Sequence, residues 1–404
     1  MRNFRTLKTL HLRLNILFAV TLICITAGAQ DSLKQWNDYV KIQIDSLLED
    51  DVFKTSQVGI CIYDLTESSN IYSHNELQTM RPASTQKLIT AITALDILGA
   101  DHRMYTSVSY TGNIADRTLT GNIYCKGSSD PLFDDFCMLY IAQEIKCLGI
   151  DTIRGSVFLD KSMKDNSELG EGWCWDDENP PLSALTINGK DNFLFSMLEA
   201  LEDEGIVLNV NAGFSTCPED AIVICKTFHT LKEILPKMLK ESDNFFAESM
   251  FYNLAASDNK KWASATDAAK KIKELAKELG HESSEFRVAD GSGLSLYNYT
   301  TAQIEVDFLR HAYDDKDIFN TIYAALPIAG VDGTLKRRMK NDRYAMANVR
   351  AKTGSVSCVS SLAGYCKAAN GHDIAFCIIN QGMLRSKKAR SFQDEVCSIL
   401  CKPL

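Results

Sequence analysis

Arg81-Pro82-Ala83-Ser84-Thr85-Gln86-Lys87-Leu88-Ile89-Thr90-Ala91 is the stretch on which the reading of this chain turns. Pro82 fixes its own backbone angle and suits a helix start. The apolar residues that follow, as far as Leu98, predict a helix from about Ser84 to Leu98. On a helix, positions i and i+3 share a face, so Ser84 Oγ and Lys87 Nζ can meet. A serine hydroxyl is a weak nucleophile until a base takes its proton, and a lysine becomes such a base when burial lowers its pKa. At a helix N-terminus, the N–H groups and the dipole also favour a developing oxyanion. The pair alone is a weak signal: both residue types are common, and a surface helix with a capping serine accounts for it better.

Outward from this stretch the chain divides into blocks. Upstream, Val58-Gly-Ile-Cys-Ile-Tyr-Asp-Leu65 reads as a strand, followed by a turn and a second strand-like stretch from Asn70 to Ser73. From about residue 103 short alternating segments appear, with one helix expected over Phe133 to Leu148 and a strand over Gly155 to Leu159. This block, 103–225, reads as an inserted mixed α/β domain. Helical spacing returns over Leu231 to Lys240 (interrupted by Pro236), Phe245 to Ala256, Ala265 to Leu279 and Thr301 to Tyr313. Strands are expected near 347–357, 359–366 and 373–380, then a helix from Ser386 to Cys401. Two early and three late strands predict one antiparallel sheet flanked by helices. The fold class is therefore α+β, with a main domain of 30–102 and 226–404.

Two further short elements follow in order. In Ser242-Asp243-Asn244, a hydroxyl and a carboxamide two residues apart can face one cleft, the serine passing a proton and the asparagine holding a substrate amide. Ser257-Asp258-Asn259-Lys260 repeats the pattern, but in a polar break between helices, where a capping turn is the better reading. In Lys352-Thr353-Gly354-Ser355, inside an apolar strand pattern, Gly354 would let a substrate backbone approach. Lys352 supplies positive potential, Thr353 and Ser355 suit a terminal carboxylate, and the Ser355 N–H suits a second oxyanion donor. Each element alone is weak. Three in this order, at a helix start, a loop and a strand, form the signature shared by β-lactamases and penicillin-binding proteins.

The match extends further. Pro82-Ala-Ser-x-x-Lys87, Ser242-Asp-Asn-x-x-Ala-Glu248, Asp290-Gly-Ser-Gly-Leu-Ser295, Leu326-Pro-x-Ala-Gly-x-Asp-Gly-Thr-Leu335, Lys352-Thr-Gly-Ser and Ser361-Leu-Ala-Gly-Tyr365 together resemble the class C low-molecular-mass penicillin-binding proteins. These are D-alanyl-D-alanine carboxypeptidases and endopeptidases of peptidoglycan. The resemblance implies a β-lactamase/transpeptidase-like domain with material inserted between the first two elements, although the gap from Ser84 to Ser242 is shorter than in the larger members. It implies Ser84 as acylated serine, Lys87 as its base and Ser242 as a further catalytic group. Asn244, Lys352, Thr353 and Ser355 would bind substrate. Asp130, in Gly127-Ser-Ser-Asp-Pro131, resembles an inserted-domain aspartate that approaches the substrate's diaminopimelate amine; an ordinary Asp-Pro turn accounts for it equally. Where members of the family often carry an arginine, this chain has Leu296, which cannot pair with a side-chain carboxylate. Peptidoglycan stem peptides are the implied substrate and β-lactams the implied covalent inhibitors. A β-lactamase and a non-catalytic penicillin- or peptidoglycan-binding protein are the rival readings.

The ends and the composition agree with an exported enzyme. Arg2, Arg5, Lys8 and Arg13 precede an apolar run from Leu14 to Ile25 that ends in Ala27-Gly28-Ala29, the pattern of a signal peptide over 1–29. The run is short for a membrane span, so no stable transmembrane anchor is expected, and the protein is placed in the periplasm or outside the cell. The net charge of the 404-residue chain is −9, and its leader holds basic but no acidic residues. What remains is more acidic still, which argues against nucleic acid as a partner. Disulfides are permitted in such a protein. The cysteines lie too scattered for a zinc knuckle or a redox pair, and their connectivity is not legible. The seven histidines show no metal-ligand spacing, and neither metal nor cofactor is expected.

Overall fold

A computed structural model describes residues 34–177 and 179–403. The leader expected over 1–29 lies outside the described residues. Two five-stranded sheets organise the described residues, and each belongs to a separate structural unit.

The first unit opens with a helix, α1 (34–48), and the hairpin β1 (Gln57–Asp64) and β2 (Ser69–His74). α2 (Gln86–Leu98) follows, and the chain then leaves for the second unit. It returns with α5 (Leu231–Lys240), α6 (Asn244–Ala255), α7 (Ala265–Glu278), α8 (Ala302–Asp314) and α9 (Lys316–Ala325). It closes with β8 (Arg350–Val356), β9 (Val359–Lys367), β10 (Asp373–Gln381) and α10 (Ser386–Cys401). The sheet order is β2-β1-β10-β9-β8, antiparallel throughout. This is the sheet expected from two early and three late strands. The central strands β9 and β10 are buried along almost their whole length, because helices cover both faces. Trp36, Val40 and Ile44 of α1 pack with Phe392, Val396 and Leu400 of α10 on one face. α2 and α5–α9 cover the other.

Local chemistry explains the elements. The Thr301 hydroxyl accepts the Ile304 N–H at 3.1 Å and starts α8. Thr230 and Glu233 form a capping box at the head of α5. Pro236 sits inside α5 rather than ending it. It lies on the exposed side, where the carbonyl it leaves unbonded can reach water.

The second unit holds β3 (Arg103–Ala115), β4 (Thr118–Gly127), α3 (Asp135–Cys147), β5 (Thr152–Asp160), α4 (Phe193–Asp203), β6 (Val207–Phe214) and β7 (Ile222–Thr230). Its order is β6-β5-β4-β3-β7, with parallel pairing along β4-β5-β6 and antiparallel pairing around β3. α3 and α4 bury Ile141, Ile145, Met197 and Leu201 against one face. β7 pairs with β3 as far as Thr230, so this sheet extends five residues past the boundary at 225 read from the sequence. The alternation of β7 runs straight into the capping box of α5, with no glycine or proline to mark the junction. A long segment between β5 and α4 leaves the second sheet and packs Trp173 and Leu182 against Tyr252 of α6.

Candidate active site

The Ser84 turn is a short 3-10 segment, Ala83–Thr85, from which α2 continues. Ala83 has φ 50°, a left-handed angle that costs a non-glycine residue energy. The kink aims Ser84 out of the helix mouth toward the edge strand β8. Two glycines make room for it. A Cβ on Gly354 would lie 2.7 Å from Pro82 O and 2.9 Å from Ser84 N, and one on Gly293 would lie 1.8 Å from Ala83 O. Only glycine permits that approach at either place.

Lys87 is fully buried one turn along. Its Nζ reaches Ser84 Oγ at 3.1 Å, Asn244 Oδ1 at 2.7 Å and the Ser292 carbonyl at 2.8 Å. Burial pulls its pKa down to about 8, against the opposing pull of Asp290, Glu248 and Asp243. A lysine so placed releases its proton near neutral pH and still has the serine hydroxyl within reach.

Ser242 also carries a left-handed angle, φ 62°, just before Asp243 caps α6 through the Phe246 N–H. Asn244 is the first residue of that helix, which fixes its carboxamide beside Lys87. The Ser242 hydroxyl accepts from Lys352 Nζ at 2.8 Å. Lys352 is fully buried on β8, and burial, reinforced by the charge of Lys87, holds its pKa well below the usual lysine range. Thr353 Oγ1 donates to Thr334 Oγ1 at 2.8 Å, which ties β8 to the turn after α9. Ser84, Lys87, Ser242, Asn244 and Lys352 thus come from a helix mouth, a loop and a strand to one place, and Thr353 and Ser355 continue the same strand. The repeated pattern at Ser257–Lys260 is elsewhere, in the turn after α6, where Asp258 pairs with Lys271.

Asp130 does not join them. Its side chain has no exposed surface, one oxygen accepts the Leu132 N–H at 3.0 Å, and the other meets His229 Nδ1 at 2.8 Å. With both oxygens engaged, the carboxylate is held by its own turn and by His229. Leu296 is exposed, and its carbonyl accepts from Arg81 Nε at 3.0 Å. Arg338 is engaged by Asp394.

Several contributors received no role from the sequence. Glu248, fully buried, accepts the Gly291 and Ser292 N–H groups, at 3.0 and 2.7 Å to one oxygen. Asp290 accepts from the Gly293 and Ser295 N–H groups, from Asn298 and from the Trp173 indole. These two carboxyls shape the 290–295 loop so that the Ser292 carbonyl faces Lys87. Glu305 lies beneath the turn and accepts from Thr85 Oγ1 at 2.8 Å, and burial raises its pKa to about 7. Asn179, from the segment between β5 and α4, accepts from Asn244 Nδ2 at 3.2 Å. The spacing of Glu248 after Ser242 was visible in the sequence, but nothing there gave its partner. Among the described residues no three His, Cys, Asp or Glu side chains gather to hold a metal ion.

A serine beside a buried lysine at a helix mouth, across from a lysine-bearing strand edge, defines a penicillin-binding type of serine hydrolase. The chain belongs to the D-Ala-D-Ala carboxypeptidase 3 (S13) family, whose model matches residues 40–195 and 188–402. It is 26% identical to a D-alanyl-D-alanine carboxypeptidase of Actinomadura sp. (strain R39), over 91% of this chain and 85% of that protein. The crystal structure of penicillin binding protein 4 (dacB) from Haemophilus influenzae shares the fold, with TM-score 0.81 and 23% identity over 89% of this chain and 99% of that one. The same Haemophilus protein complexed with a β-lactam matches with TM-score 0.75 and 22% identity, again over 89% and 99%. No helix of the described residues is long and apolar enough to cross a membrane.

Proposed function

We propose that this carboxypeptidase cleaves the terminal D-Ala–D-Ala bond of peptidoglycan stem peptides through an ester on Ser84, outside the cytoplasmic membrane. The observation that carries this reading is the buried Lys87, hydrogen-bonded to Ser84 and held at a pKa near 8. In the neutral form its Nζ takes the Ser84 proton as Oγ attacks the penultimate D-Ala carbonyl. The Ser84 and Ser355 N–H groups hold the oxyanion, and Lys352, Thr353 and Ser355 hold the terminal carboxylate. Asn244 holds a backbone amide of the peptide. As the C–N bond breaks, the departing amine takes a proton from Ser242, which takes its own from the Lys87 ammonium and so returns Lys87 to the neutral form; Lys352 Nζ, 2.8 Å away, holds the Ser242 hydroxyl in place. Water then attacks the ester, neutral Lys87 accepts its proton and hands it to Ser84 Oγ as the ester C–O bond breaks, and the free serine is regenerated. A β-lactam acylates the same hydroxyl, but its opened ring stays attached, so no leaving group departs.

Fluorescent penicillin tests the assignment. Wild-type protein should take the label, Ser84→Ala should not, and D-Ala should be released from a pentapeptide at the expense of the same serine. Label retained by Ser84→Ala would sink the proposal. A mass-resolved digest of purified peptidoglycan separates carboxypeptidase from endopeptidase products, and rapid repeated turnover of nitrocefin would indicate a β-lactamase instead.

A further inference from the structure

We propose that a groove between the second unit and the loop after α6 binds a saccharide strand of N-acetylated amino sugars. Two adjoining cavities, of about 600 and about 520 Å³, share Leu159, Lys161, Asp191 and Phe214 and so form one trough. Each is within the size range of a small-molecule site. Their floor is apolar, from Leu159, Leu182 and Ala184. Three aromatic rings line the trough in largely exposed positions: Phe195 (67%), Phe214 (72%) and Trp262 (50%). Rings of this size are ordinarily buried, and three along one trough are not scattered surface apolars.

The trough is built rather than accidental. Trp262 holds a left-handed backbone, φ 56°, which a bulky residue adopts only under constraint. The constraint is visible: its N–H donates to the Ser162 carbonyl at 2.7 Å, and Ala263 bridges to Lys164, so the loop after α6 is stitched to the trough wall. Lys161 pairs with Asp191 at 2.7 Å and lies 5.2 Å from the Phe214 ring centre, which puts hydrogen-bonding groups beside an aromatic face. Flat rings interleaved with carboxylate, amide and ammonium groups suit a pyranose, which offers an apolar C–H face and a rim of hydroxyls and acetamides. An elongated trough suits a chain of such rings. A flat apolar protein partner would not need the polar groups between the rings.

The choice of sugar rests on the stem-peptide reading above, since stem peptides hang from a strand of N-acetylated amino sugars. The chain path connects the two sites. The segment between β5 and α4 lines the trough at Lys161–Glu168 and at Asp191, while its middle touches the catalytic cluster through Trp173 and Asn179. The trough thus anchors the polymer while one of its peptides lies across Ser84.

The test is calorimetry and tryptophan fluorescence on the full chain with tetra-N-acetylchitotetraose as probe. Saturable binding is expected, weakened about tenfold by Trp262→Ala and by Phe214→Ala, the loss of one ring contact. Both variants should keep full fluorescent-penicillin labelling, which also reports that they are folded, and unchanged D-Ala release from a soluble pentapeptide. Release from intact peptidoglycan should fall. Absence of binding at millimolar probe, or equal binding by wild type and both variants, overturns the proposal. So does an equal loss on the soluble pentapeptide by the highly exposed Phe214→Ala. If Ser84 takes no label while the tetrasaccharide still binds, the catalytic reading fails and the trough stands; labelling without binding gives the reverse.

Discussion

Gly354→Ala should disable the serine without altering any side chain that does chemistry. The added methyl would lie 2.0 Å from Ser361 Oγ, 2.7 Å from Pro82 O and 2.9 Å from Ser84 N. Ordinary contact requires about 3.5 Å. Ser361 can rotate away by giving up its hydrogen bond to Pro82 O, worth about 1 kcal/mol. Pro82 O and Ser84 N are backbone atoms of the nucleophile turn and cannot rotate. Either β8 or the turn must therefore shift by roughly 0.5–1 Å, an overpacking strain of about 1–3 kcal/mol. That displacement separates Ser84 from the Lys352–Ser355 edge, where misplacement by about 1 Å costs on the order of 10²-fold in rate. The assay is stopped-flow acylation by a fluorescent penicillin, with thermal unfolding measured alongside. Gly354→Ala should acylate about 10²-fold slower and melt a few degrees lower. The Gly354→Ala/Ser361→Ala double variant should remain slow, because the two backbone contacts persist. Full recovery in the double variant, or acylation by the single variant within about twofold of wild type, would refute the reasoning.

Acylation should rise with pH through about 8, since only neutral Lys87 accepts the serine proton; a rate flat across that range removes the lysine from the role of base. Stability should respond in the same direction. The folded chain holds fewer protons on Lys87 than the unfolded chain between about 8 and 10.5, so this residue's contribution grows as pH rises through that window. Glu248→Ala leaves the buried Gly291 and Ser292 N–H groups without an acceptor, a loss of about 1–3 kcal/mol. D-Ala release should then fall in kcat more than in KM. Glu248→Gln, which keeps one acceptor oxygen, should largely restore it, and equal damage by both variants would remove the positioning role. His229 has its pKa raised, first by its hydrogen bond to Asp130, so the charged pair stabilises the fold below the unfolded histidine pKa and weakens as pH rises through the folded one. The melting temperature gap between wild type and His229→Gln should accordingly be wide near pH 5 and narrow at alkaline pH; a gap independent of pH would show that the charge contributes nothing.

The first unit was legible wherever side-chain patterns decide the structure. Leu231–Lys240 and Ser386–Cys401 end where their apolar spacing ends, and the two-plus-three strand count produces the observed sheet. α1 and α9 were passed over. α1 presents few apolar residues, such as Trp36, Val40 and Ile44, to a face of the sheet that only the folded chain creates. Ser84, Lys87, Asn244 and Lys352 were readable because hydroxyl, amine and carboxamide are side-chain groups at fixed spacings. The Ser292 carbonyl was not, since every residue owns a carbonyl and only the loop shape held by Glu248 and Asp290 aims this one. Asn179 escaped for a related reason: it is far from the three motifs in sequence and arrives from the other unit. Asp130 read equally well as a turn residue or a substrate contact, because its burial against His229 has no local pattern in the sequence.

Arg103 and Thr230, the first and last residues of the second sheet, are direct partners across the β3–β7 ladder. The chain therefore leaves and rejoins the first unit a single strand spacing apart, and topologically everything between them is one long loop. A graft or exchange of that loop asks no change in where α2 ends or α5 begins. Its removal is another matter. The indole of Trp173 would vanish from Asp290, and Asn179 from Asn244, leaving a buried acceptor and the Asn244 carboxamide to find new partners. A transplant that brought a foreign module but no replacement for those two side chains would fold at its seam and fail at its serine.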